Sequence, residues 1–342
     1  KGKIIMAEDV KKLTKKDFVS DQDVRWCPGC GDYAVLSQVQ KVFPELGVPK
    51  HEFLIVSGIG CSSRFPYYMN CYGFHSIHGR APAIATGAKL ANPNLSVWVI
   101  TGDGDSLSIG GNHFIHVLRR NLDLNILLFN NRIYGLTKGQ YSPTSEVGKK
   151  TVSTPAGSLD YPFNPPSLAL GAGATFVARA IDKEVKHMGE IIKSSHFHKG
   201  TSFVEIYQNC NIYNDGAFAN LTDRDKKSMT QLVLEHEQPM LYGPEKNFGI
   251  RLEGSNLVGV EIGKHFTVDD ILVHNKNDKN LAVLLSELTY NEQLPVPIGV
   301  LYQEEKPTYE DMMVNQINEA IKSNGNQDLQ SLVDGFETWQ VK

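Results

Sequence analysis

Short apolar runs alternate with amphipathic segments over most of the first two thirds of the chain. Such runs are typical of strands buried in a parallel sheet, whereas apolar residues repeated every three or four positions indicate helices that cover it. The pattern predicts strands at residues 53–56, 96–101, 125–129, 175–180 and 202–207. It predicts helices at residues 32–42, 82–91, 108–121 and 183–195, and the opening of another at 167–170. We therefore expect an α/β fold, with a parallel sheet and helices on both of its faces.

The pattern changes beyond residue 217. Residues 220–245 are charged and polar, with a helical patch predicted around 229–235, and residues 246–275 are expected to form a small β-rich module. Further helices are predicted at 281–288 and at 310–322, the second within an acidic tail. The charged first 20 residues are expected to form an exposed arm. These differences divide the chain into an N-terminal arm (1–20), a main domain (21–225) and a C-terminal extension (226–342).

The most informative stretch begins where the strand predicted at 96–101 ends. It reads GDGDS, and one helix and one strand later the chain reaches Asn130 and Asn131. Both features follow the carboxyl ends of parallel strands, where open α/β sheets bind ligands. Asp103 and Asp105 would repel a bare phosphate, but Mg²⁺ bridges carboxylate and phosphate oxygens. An acidic turn capped by aspartate is the alternative, and the asparagine pair, which adds a side-chain oxygen at Asn131, favours the metal site.

Three further segments are candidates for contact with the same ligand. Residues 57–63, SGIGCSS, form a glycine-rich turn after a predicted strand, and Gly104 in the acidic turn is expected to let a ligand approach the backbone. Residues 78–80, HGR, open a helix of small residues, where backbone N–H groups favour an anion. The segment after the asparagine pair contains Lys138, which is suited to hold a substrate carboxylate, although a solvated lysine is the simpler explanation. From there to Pro166 the irregular sequence predicts a structured loop or lid.

The five cysteines suggest metal or redox use, because a chain of this size does not need disulfides for stability. Cys27 and Cys30 lie on a tight CPGCG turn, which suits either an iron–sulfur cluster or zinc but supplies only half a site. Cys61 and Cys210 each follow a predicted strand, at the same edge of the sheet. Cys71 lies in an aromatic stretch, where a packing role is expected.

Composition and charge narrow the class of protein. The 342 residues are 41% hydrophobic and 21% charged, which is ordinary for a globular protein. A net charge of −4 gives no reason to expect binding to nucleic acid or to an anionic membrane. No apolar run is long enough for a transmembrane helix, and the charged beginning lacks the apolar core of a signal peptide. A cytoplasmic location is therefore expected.

Six motifs in order now support a resemblance to a known family. CPGCG, GIGCSS, HGRA, GDGD, NNRIYGLTKGQ and the late Cys210 resemble the β subunit of the 2-oxoacid:ferredoxin oxidoreductases, most closely the 2-oxoglutarate branch. Within this resemblance, GDG followed after about 25 residues by NN is similar to the diphosphate-anchoring motif of thiamine diphosphate enzymes. The resemblance covers about residues 20–240, and the C-terminal third is not tied to any of these motifs.

The resemblance implies a role for each candidate residue. A 4Fe–4S cluster would be held by Cys27, Cys30, Cys61 and Cys210. Mg²⁺ would be held by Asp103, Asn131 and the carbonyl group of Ile133. Thiamine diphosphate would contact Ile59, Gly60, Cys61, Ser62, His78, Gly79, Gly104, Asp105, Gly135 and Leu136. Lys138 would recognise the 2-oxoacid.

The resemblance also implies a reaction and partners. Family members convert a 2-oxoacid, coenzyme A and oxidised ferredoxin into an acyl-CoA, carbon dioxide and reduced ferredoxin, and some run in reverse to fix carbon dioxide. An α subunit that carries a pyrimidine-binding domain is implied, because the chain has one sheet with the diphosphate signature. Two alternatives stay open at this point: a pyruvate or broad 2-oxoacid specificity, and a non-catalytic iron–sulfur or zinc scaffold.

Overall fold

The computed structural model describes residues 12–325, 328–339 and 341, and these form eleven strands and twelve α-helices. The strands are β1 (Phe53–Ser57), β2 (Tyr72–His75), β3 (Ser96–Gly102), β4 (Leu124–Asn130), β5 (Phe176–Ile181), β6 (Thr201–Tyr207), β7 (Gln231–Leu234), β8 (Leu241–Tyr242), β9 (Phe248–Glu253), β10 (Asn256–Glu261) and β11 (Val296–Gln303). The helices are α1 (Asp32–Val42), α2 (Phe65–Tyr68), α3 (Ala81–Ala91), α4 (Asp103–Leu107), α5 (Gly111–Arg120), α6 (Pro165–Gly171), α7 (Val185–Phe197), α8 (Ala219–Thr222), α9 (Lys227–Thr230), α10 (Lys279–Glu287), α11 (Tyr309–Asn324) and α12 (Leu329–Asp334).

Eight strands form the main sheet, in the order β2-β1-β3-β4-β6-β5-β11-β7. The first six of these pair in parallel, so their carboxyl ends lie along one edge. Strand β11 is antiparallel to β5, and β7 is parallel to β11. The remaining three strands, β8 to β10, form a small antiparallel sheet.

The central strands are apolar on both faces because each face is covered by helices. Along β3, Val97 and Val99 face a core that includes residues of α3 and α5, whereas Trp98 and Ile100 face a second core that includes residues of α1 and α7. This alternation follows from the two-residue period of a strand and explains the continuous apolar runs in the sequence. The predicted α/β class, with a parallel sheet and helices on both faces, is confirmed.

All five strands predicted in the first 210 residues are present, with ends that differ by at most one residue. The helix predicted at 108–121 begins later, at Gly111, because residues 103–107 form the separate short helix α4. The helical patch predicted around 229–235 is wrong. Only α9 (Lys227–Thr230) is helical there, and the next residues form strand β7, whose Leu232 and Leu234 are buried in a third apolar core. Of the β-rich module at 246–275, β9 and β10 form a hairpin, but residues 268–270 form a 3₁₀ turn.

The sequence pattern did not predict all the strands at the two ends of the main sheet. Strands β2 and β11 have no counterpart among the predicted elements, and β11 contains Pro297 and Gly299, which weaken a strand signal. Because β11 and β7 complete the main sheet, residues beyond 225 contribute to the same layer as the earlier strands. The division into a main domain (21–225) and a C-terminal extension (226–342) stays a prediction.

The N-terminal segment differs from the exposed arm that was expected. Residues 1–11 lie outside the described part of the chain, but Phe18 is fully buried and packs edge-on against Phe43 and Phe53. An aromatic side chain buried among aromatic neighbours fixes this segment to the core. Among the described helices, none combines the length and apolar character that crossing a membrane requires. The cytoplasmic location stays a prediction.

Candidate active site

A cavity of about 150 Å³ lies at the carboxyl edge of the main sheet, where β1, β3 and β4 end. It brings together residues from three separate predicted turns. Its lining includes Ile59, Gly60, Cys61, Ser62, His78, Asp103, Gly104, Asp105, Asn131, Ile133, Gly135 and Leu136. Parallel pairing of the three strands places their terminal residues side by side, so the sequence motifs meet here although they are up to about 80 residues apart.

Asp103 is the buried carboxylate on the floor of this cavity. Its side chain is 2% exposed, and its Oδ2 accepts hydrogen bonds from the hydroxyl groups of Ser142 (2.5 Å) and Thr144 (2.6 Å). Burial raises the pKa of the Asp103 carboxyl to about 6, and the two hydroxyl donors oppose that shift. A buried carboxylate in such surroundings is stabilised by a bound cation, which is consistent with a metal ligand at this position.

Asp105 has a different role from Asp103, although only one residue separates them. Its Oδ1 accepts hydrogen bonds from the backbone N–H of Ile59 (3.0 Å) and of Gly79 (2.7 Å), and it lies 2.6 Å from Nδ1 of His78. Its Oδ2 accepts from the hydroxyl group of Thr101 at 2.8 Å. The carboxylate is therefore saturated by protein donors and joins three loops, so any ligand contact at this position falls to the backbone.

The asparagine pair lies directly beside Asp103, at the end of β4. The side-chain amide of Asn131 donates to Oε1 of Gln208 (3.0 Å), and its Oδ1 accepts from the backbone N–H of Ile133 (3.1 Å). An amide oxygen has two acceptor positions, so Oδ1 of Asn131 retains one for a further partner. Asp103, Asn131 and Ile133 line the same cavity, and their carboxylate, amide and carbonyl oxygens form the kind of donor set that Mg²⁺ prefers.

Tyr134 explains one glycine in a way that the sequence did not suggest. A β-carbon on Gly104 would lie 2.1 Å from the Tyr134 ring, and the Tyr134 hydroxyl donates to the carbonyl oxygen of Gly104 at 3.0 Å. The space that Gly104 leaves open is thus occupied by a tyrosine ring. This packing attaches the segment that follows the asparagine pair to the acidic turn.

Lys138 lies at the tip of a turn between Tyr134 and Gln140, which are paired through their backbones. The lysine is exposed, has a positive φ of 72° and does not line the cavity. A positive φ is uncommon for residues with a β-carbon and costs free energy. The proposed role of Lys138 toward the substrate stays a prediction.

The cysteines on three loops are neighbours in space. A β-carbon on Gly135 would lie 3.5 Å from Sγ of Cys210 and 3.7 Å from Sγ of Cys61, and Nε2 of Gln208 donates to Sγ of Cys30 at 3.3 Å. Burial, and then the charge of a nearby aspartate, raises the pKa of the Cys61 thiol to about 12 and also raises that of Cys30. Cys27 and Cys210 also influence the Cys61 thiol electrostatically, so all four predicted cysteines lie in one region.

Within the described residues, no three His, Cys, Asp or Glu side chains are grouped closely enough to hold one metal ion. This does not conflict with the neighbourhood of the four cysteines. In a 4Fe–4S cluster each iron takes its own thiolate, so the four sulfur atoms lie farther apart than the ligands of a single ion.

The structure adds site residues that sequence reasoning missed. Ser142 and Thr144 come from the irregular segment predicted as a loop or lid, but no motif marked them as partners of Asp103. Asp32, which begins α1 next to the CPGCG turn, lines the cavity with both carboxylate oxygens buried. Burial raises the pKa of the Asp32 carboxyl to about 7. The sequence could have indicated Asp32, because this acidic residue directly follows the CPGCG turn. It could not have indicated Ser142 and Thr144, because their position beside Asp103 depends on the path of the loop.

The fold and the cavity define the class of protein. Residues 58–206 match the family model of the thiamine pyrophosphate enzyme C-terminal TPP binding domain. That range contains the turn after β1, the acidic turn and the asparagine pair.

Comparison with known proteins identifies the family. The chain is 51% identical over 332 residues to 2-oxoglutarate oxidoreductase subunit KorB of Mycobacterium tuberculosis, covering 95% of this chain and 88% of that one. It is 38% identical over 290 residues to a 2-oxoacid:ferredoxin oxidoreductase subunit beta of Sulfolobus sp, covering 84% of each. A solved 2-oxoglutarate:ferredoxin oxidoreductase from Magnetococcus marinus, with 2-oxoglutarate, coenzyme A and succinyl-CoA bound, matches with a TM-score of 0.76 and 32% identity, over 96% of this chain and 98% of that one. The chain belongs to the β subunits of the 2-oxoacid:ferredoxin oxidoreductases, and it is a subunit of an oxidoreductase.

The geometry of Asp105 generates a prediction about the loops that it joins. Replacing it, Asp105→Ala, removes the acceptor of the Ile59 and Gly79 N–H groups, and a buried donor left unpaired costs about 1–3 kcal/mol. We expect amide hydrogen exchange at Ile59 and Gly79 to accelerate by roughly tenfold or more. The exposed Asp160, whose carboxylate bonds only the Tyr141 hydroxyl among the described contacts, provides the control variant Asp160→Ala. Unchanged exchange at both amides in Asp105→Ala would show that the carboxylate does not hold these loops.

Proposed function

We propose that the chain is the β subunit of a 2-oxoglutarate:ferredoxin oxidoreductase, which converts 2-oxoglutarate and coenzyme A into succinyl-CoA and carbon dioxide. The observation that carries this proposal is the single cavity in which the acidic turn, the asparagine pair and the glycine-rich turn meet. The solved relative that holds 2-oxoglutarate, coenzyme A and succinyl-CoA covers almost the whole chain, which supports the choice of substrate. The same proposal includes the reverse reaction, which fixes carbon dioxide.

The residues around the cavity fit thiamine diphosphate with Mg²⁺. Asp103, Asn131 and the carbonyl group of Ile133 would hold the metal ion, because they supply hard oxygen ligands at one end of the cavity. The turns at 59–62, 78–79, 104–105 and 135–136 would surround the cofactor, with the backbone rather than the Asp105 carboxylate making contact. Once bound, the cofactor supplies the electron sink that decarboxylation of a 2-oxoacid requires. The protein orients it and excludes water.

The cysteines support a path for electrons away from the cavity. Cys27, Cys30, Cys61 and Cys210 would hold a 4Fe–4S cluster, which accepts electrons one at a time. Cys61 lines the cavity and also lies beside Cys210, so the cluster would be adjacent to the cofactor. Cys27 is exposed, so the other side of the cluster would lie near the surface, where ferredoxin would collect the electrons.

A second subunit would complete the active site. Membership among β subunits implies an α partner, and we propose that the α subunit carries the pyrimidine-binding domain. The chain alone would then be inactive. A pyruvate or broad 2-oxoacid specificity is the alternative within the family, since the Sulfolobus relative is named for 2-oxoacids in general. A non-catalytic scaffold would have no use for the buried Asp103 beside the asparagine pair.

The proposed substrate is tested by assaying the α/β complex with a panel of 2-oxoacids, coenzyme A and a dye as electron acceptor. We expect the highest kcat/KM for 2-oxoglutarate, and no activity in a complex that carries Asp103→Ala. A higher kcat/KM for pyruvate than for 2-oxoglutarate would replace the proposed substrate with the alternative. Activity of the β chain without its partner would contradict the two-subunit site.

The cluster ligands are tested by measuring iron per chain in the purified complex. Serine variants of Cys27, Cys30, Cys61 and Cys210 should each lose iron, because each removes one thiolate of the set. Cys71→Ser is the matched control, since the Cys71 thiol is partly buried and, unlike that of Cys61, has no other cysteine among the groups that act on it. Iron loss in Cys71→Ser together with full iron in Cys210→Ser would overturn this ligand set.

Lys138 is tested with two substrates that differ in one carboxylate. If Lys138 holds the distal carboxylate of 2-oxoglutarate, Lys138→Ala loses a charge-assisted contact worth roughly 1.5–3 kcal/mol, on the order of a 10- to 100-fold loss in kcat/KM. The loss should be far larger for 2-oxoglutarate than for pyruvate. The exposed Lys41 provides the control variant Lys41→Ala. Changes below about twofold for both substrates would mean that Lys138 is an ordinary solvated side chain.

A further inference from the structure

A fully buried ion pair is connected to the proposed metal site by hydrogen bonds. Arg179 on β5 and Glu205 on β6 face each other in the strand register, and both side chains are 0% exposed. Nε of Arg179 donates to Oε2 of Glu205 at 2.7 Å. The other guanidinium nitrogens donate to the hydroxyl group of Thr289 (2.7 Å) and to the carbonyl oxygen of Pro297 (3.1 Å). The arginine is thus held by residues of the C-terminal third of the chain.

Such a pair is a poor way to stabilise a core. Transferring two charges from water to a protein interior is costly, and apolar residues of similar volume often stabilise a fold equally well. Apolar residues are buried on the same strands, among them Val177, Val204 and Ile206, and the guanidinium carbon of Arg179 lies 5.0 Å from the centre of the Tyr207 ring. A role beyond packing is therefore worth seeking in the contacts that the pair makes.

The second oxygen of Glu205 orients the first residue of the asparagine pair. Oε1 of Glu205 accepts from Nδ2 of Asn130 at 2.7 Å. Because a carboxylate can only accept, the NH₂ group of Asn130 must face Glu205, and its carbonyl oxygen must face the opposite way. On that side Oδ1 of Asn130 accepts from the backbone N–H of Arg132 (3.2 Å) and lies 2.9 Å from the hydroxyl oxygen of Thr144, whose single proton it shares with Oδ2 of Asp103.

Both contacts of Asn130 lead to the proposed metal ligands. Arg132 lies between Asn131 and Ile133 and has a positive φ of 56°, so its N–H bond to Asn130 braces a strained turn. Thr144 also approaches Oδ2 of Asp103 to within 2.6 Å. The hydrogen-bonded path therefore runs from Arg179 through Glu205 and Asn130 to Asp103 on one side and to the Asn131–Ile133 turn on the other.

We propose that Glu205 is a positioning residue for the metal site: by fixing the amide of Asn130, it holds Asp103 and the 131–133 turn in the arrangement that binds Mg²⁺. This inference rests on the proposed function, because it assumes that Asp103 and Asn131 bind the metal. Thr289 and Pro297 would contribute to the same arrangement, because they hold Arg179, which in turn holds Glu205. Outer residues that orient metal ligands typically contribute 10- to 100-fold to metal affinity.

The variant Glu205→Gln tests this role with almost no change in volume. Arg179 requires the oxygen of the new amide, so the glutamine NH₂ group must face Asn130, and the Asn130 amide must turn over. The NH₂ group of Asn130 would then face the backbone N–H of Arg132, so that two donors would meet without an acceptor. We expect the Mg²⁺ concentration for half-maximal thiamine diphosphate binding by the α/β complex, measured by calorimetry, to rise by at least roughly tenfold. Glu310→Gln is the matched control, because Glu310 is also buried but accepts from the N–H of Asp123, just before β4 begins.

A second pair of variants addresses the same path without disturbing the ion pair. Thr144→Val removes the hydroxyl group that links Asn130 to Asp103, and Thr144→Ser restores one. We expect Thr144→Val to raise the Mg²⁺ concentration for half-maximal thiamine diphosphate binding to a similar degree. Thr144→Ser should restore most of the lost affinity. Because Glu205 acts through the same link, the double variant Glu205→Gln/Thr144→Val should lose less than the product of the two single losses. A general loss of stability would lower the melting temperature without this pattern.

The outcomes separate the inference from the function on which it rests. If Asp103→Asn abolishes Mg²⁺-dependent binding but folded Glu205→Gln and Thr144→Val bind as the parent does, the positioning role is wrong and the metal site stands. If Asp103→Asn has no effect, the proposed metal site itself is wrong. If Glu205→Gln does not fold, Asn130→Ala removes the amide on which Glu205 acts: the inference is supported when folded Asn130→Ala weakens Mg²⁺-dependent binding, and rejected when it binds as the parent does.

Discussion

The site depends on the burial of two carboxylates, with one residue between them in the sequence, at the edge of the main sheet where its parallel strands end. A buried carboxylate must be compensated, and Asp103 and Asp105 are compensated in different ways. Asp105 receives four protein donors and thereby joins the turn after β1, the loop before α3 and the acidic turn. Asp103 receives two hydroxyl groups and lines the cavity. One aspartate therefore builds the cavity, and the other is suited to bind a cation within it.

The same edge of the sheet places two kinds of chemistry next to each other. The turn after β1 contributes Cys61 both to the cavity and to the group of cysteines, and the sulfur atoms of Cys61 and Cys210 lie beside Gly135, which also lines the cavity. Under the proposed function, such adjacency would shorten the path between the reacting carbon and the electron carrier. It also explains why the relevant motifs occur on different loops, since each loop follows a different strand of one sheet.

Residues far along the chain contribute to this site through the sheet. Strand β11 is antiparallel to β5, and the carbonyl oxygen of Pro297 in β11 accepts a hydrogen bond from Arg179. Strand β11 is not evident in the sequence because a proline and a glycine interrupt its apolar run, and the local pattern predicts a helix where β7 forms. Both errors have one cause: these short segments become strands by pairing with a neighbour that is remote in sequence, and local pattern carries little information about such pairing.

The sequence by itself determined the parallel α/β class, the central strands and the turns that meet at the cavity, because buried strands need continuous apolar runs and their ends need glycine, aspartate or asparagine. It also determined the family, through six motifs in a single order. Only the tertiary structure decided that Asp105 has four protein partners while Asp103 has two hydroxyl donors, and that Tyr134 fills the space beside Gly104. Only the tertiary structure connected Asp103 to Thr144 and, through Asn130, to Glu205. Those contacts link residues 14 to 75 positions apart, and they depend on chain path rather than on local residue preference.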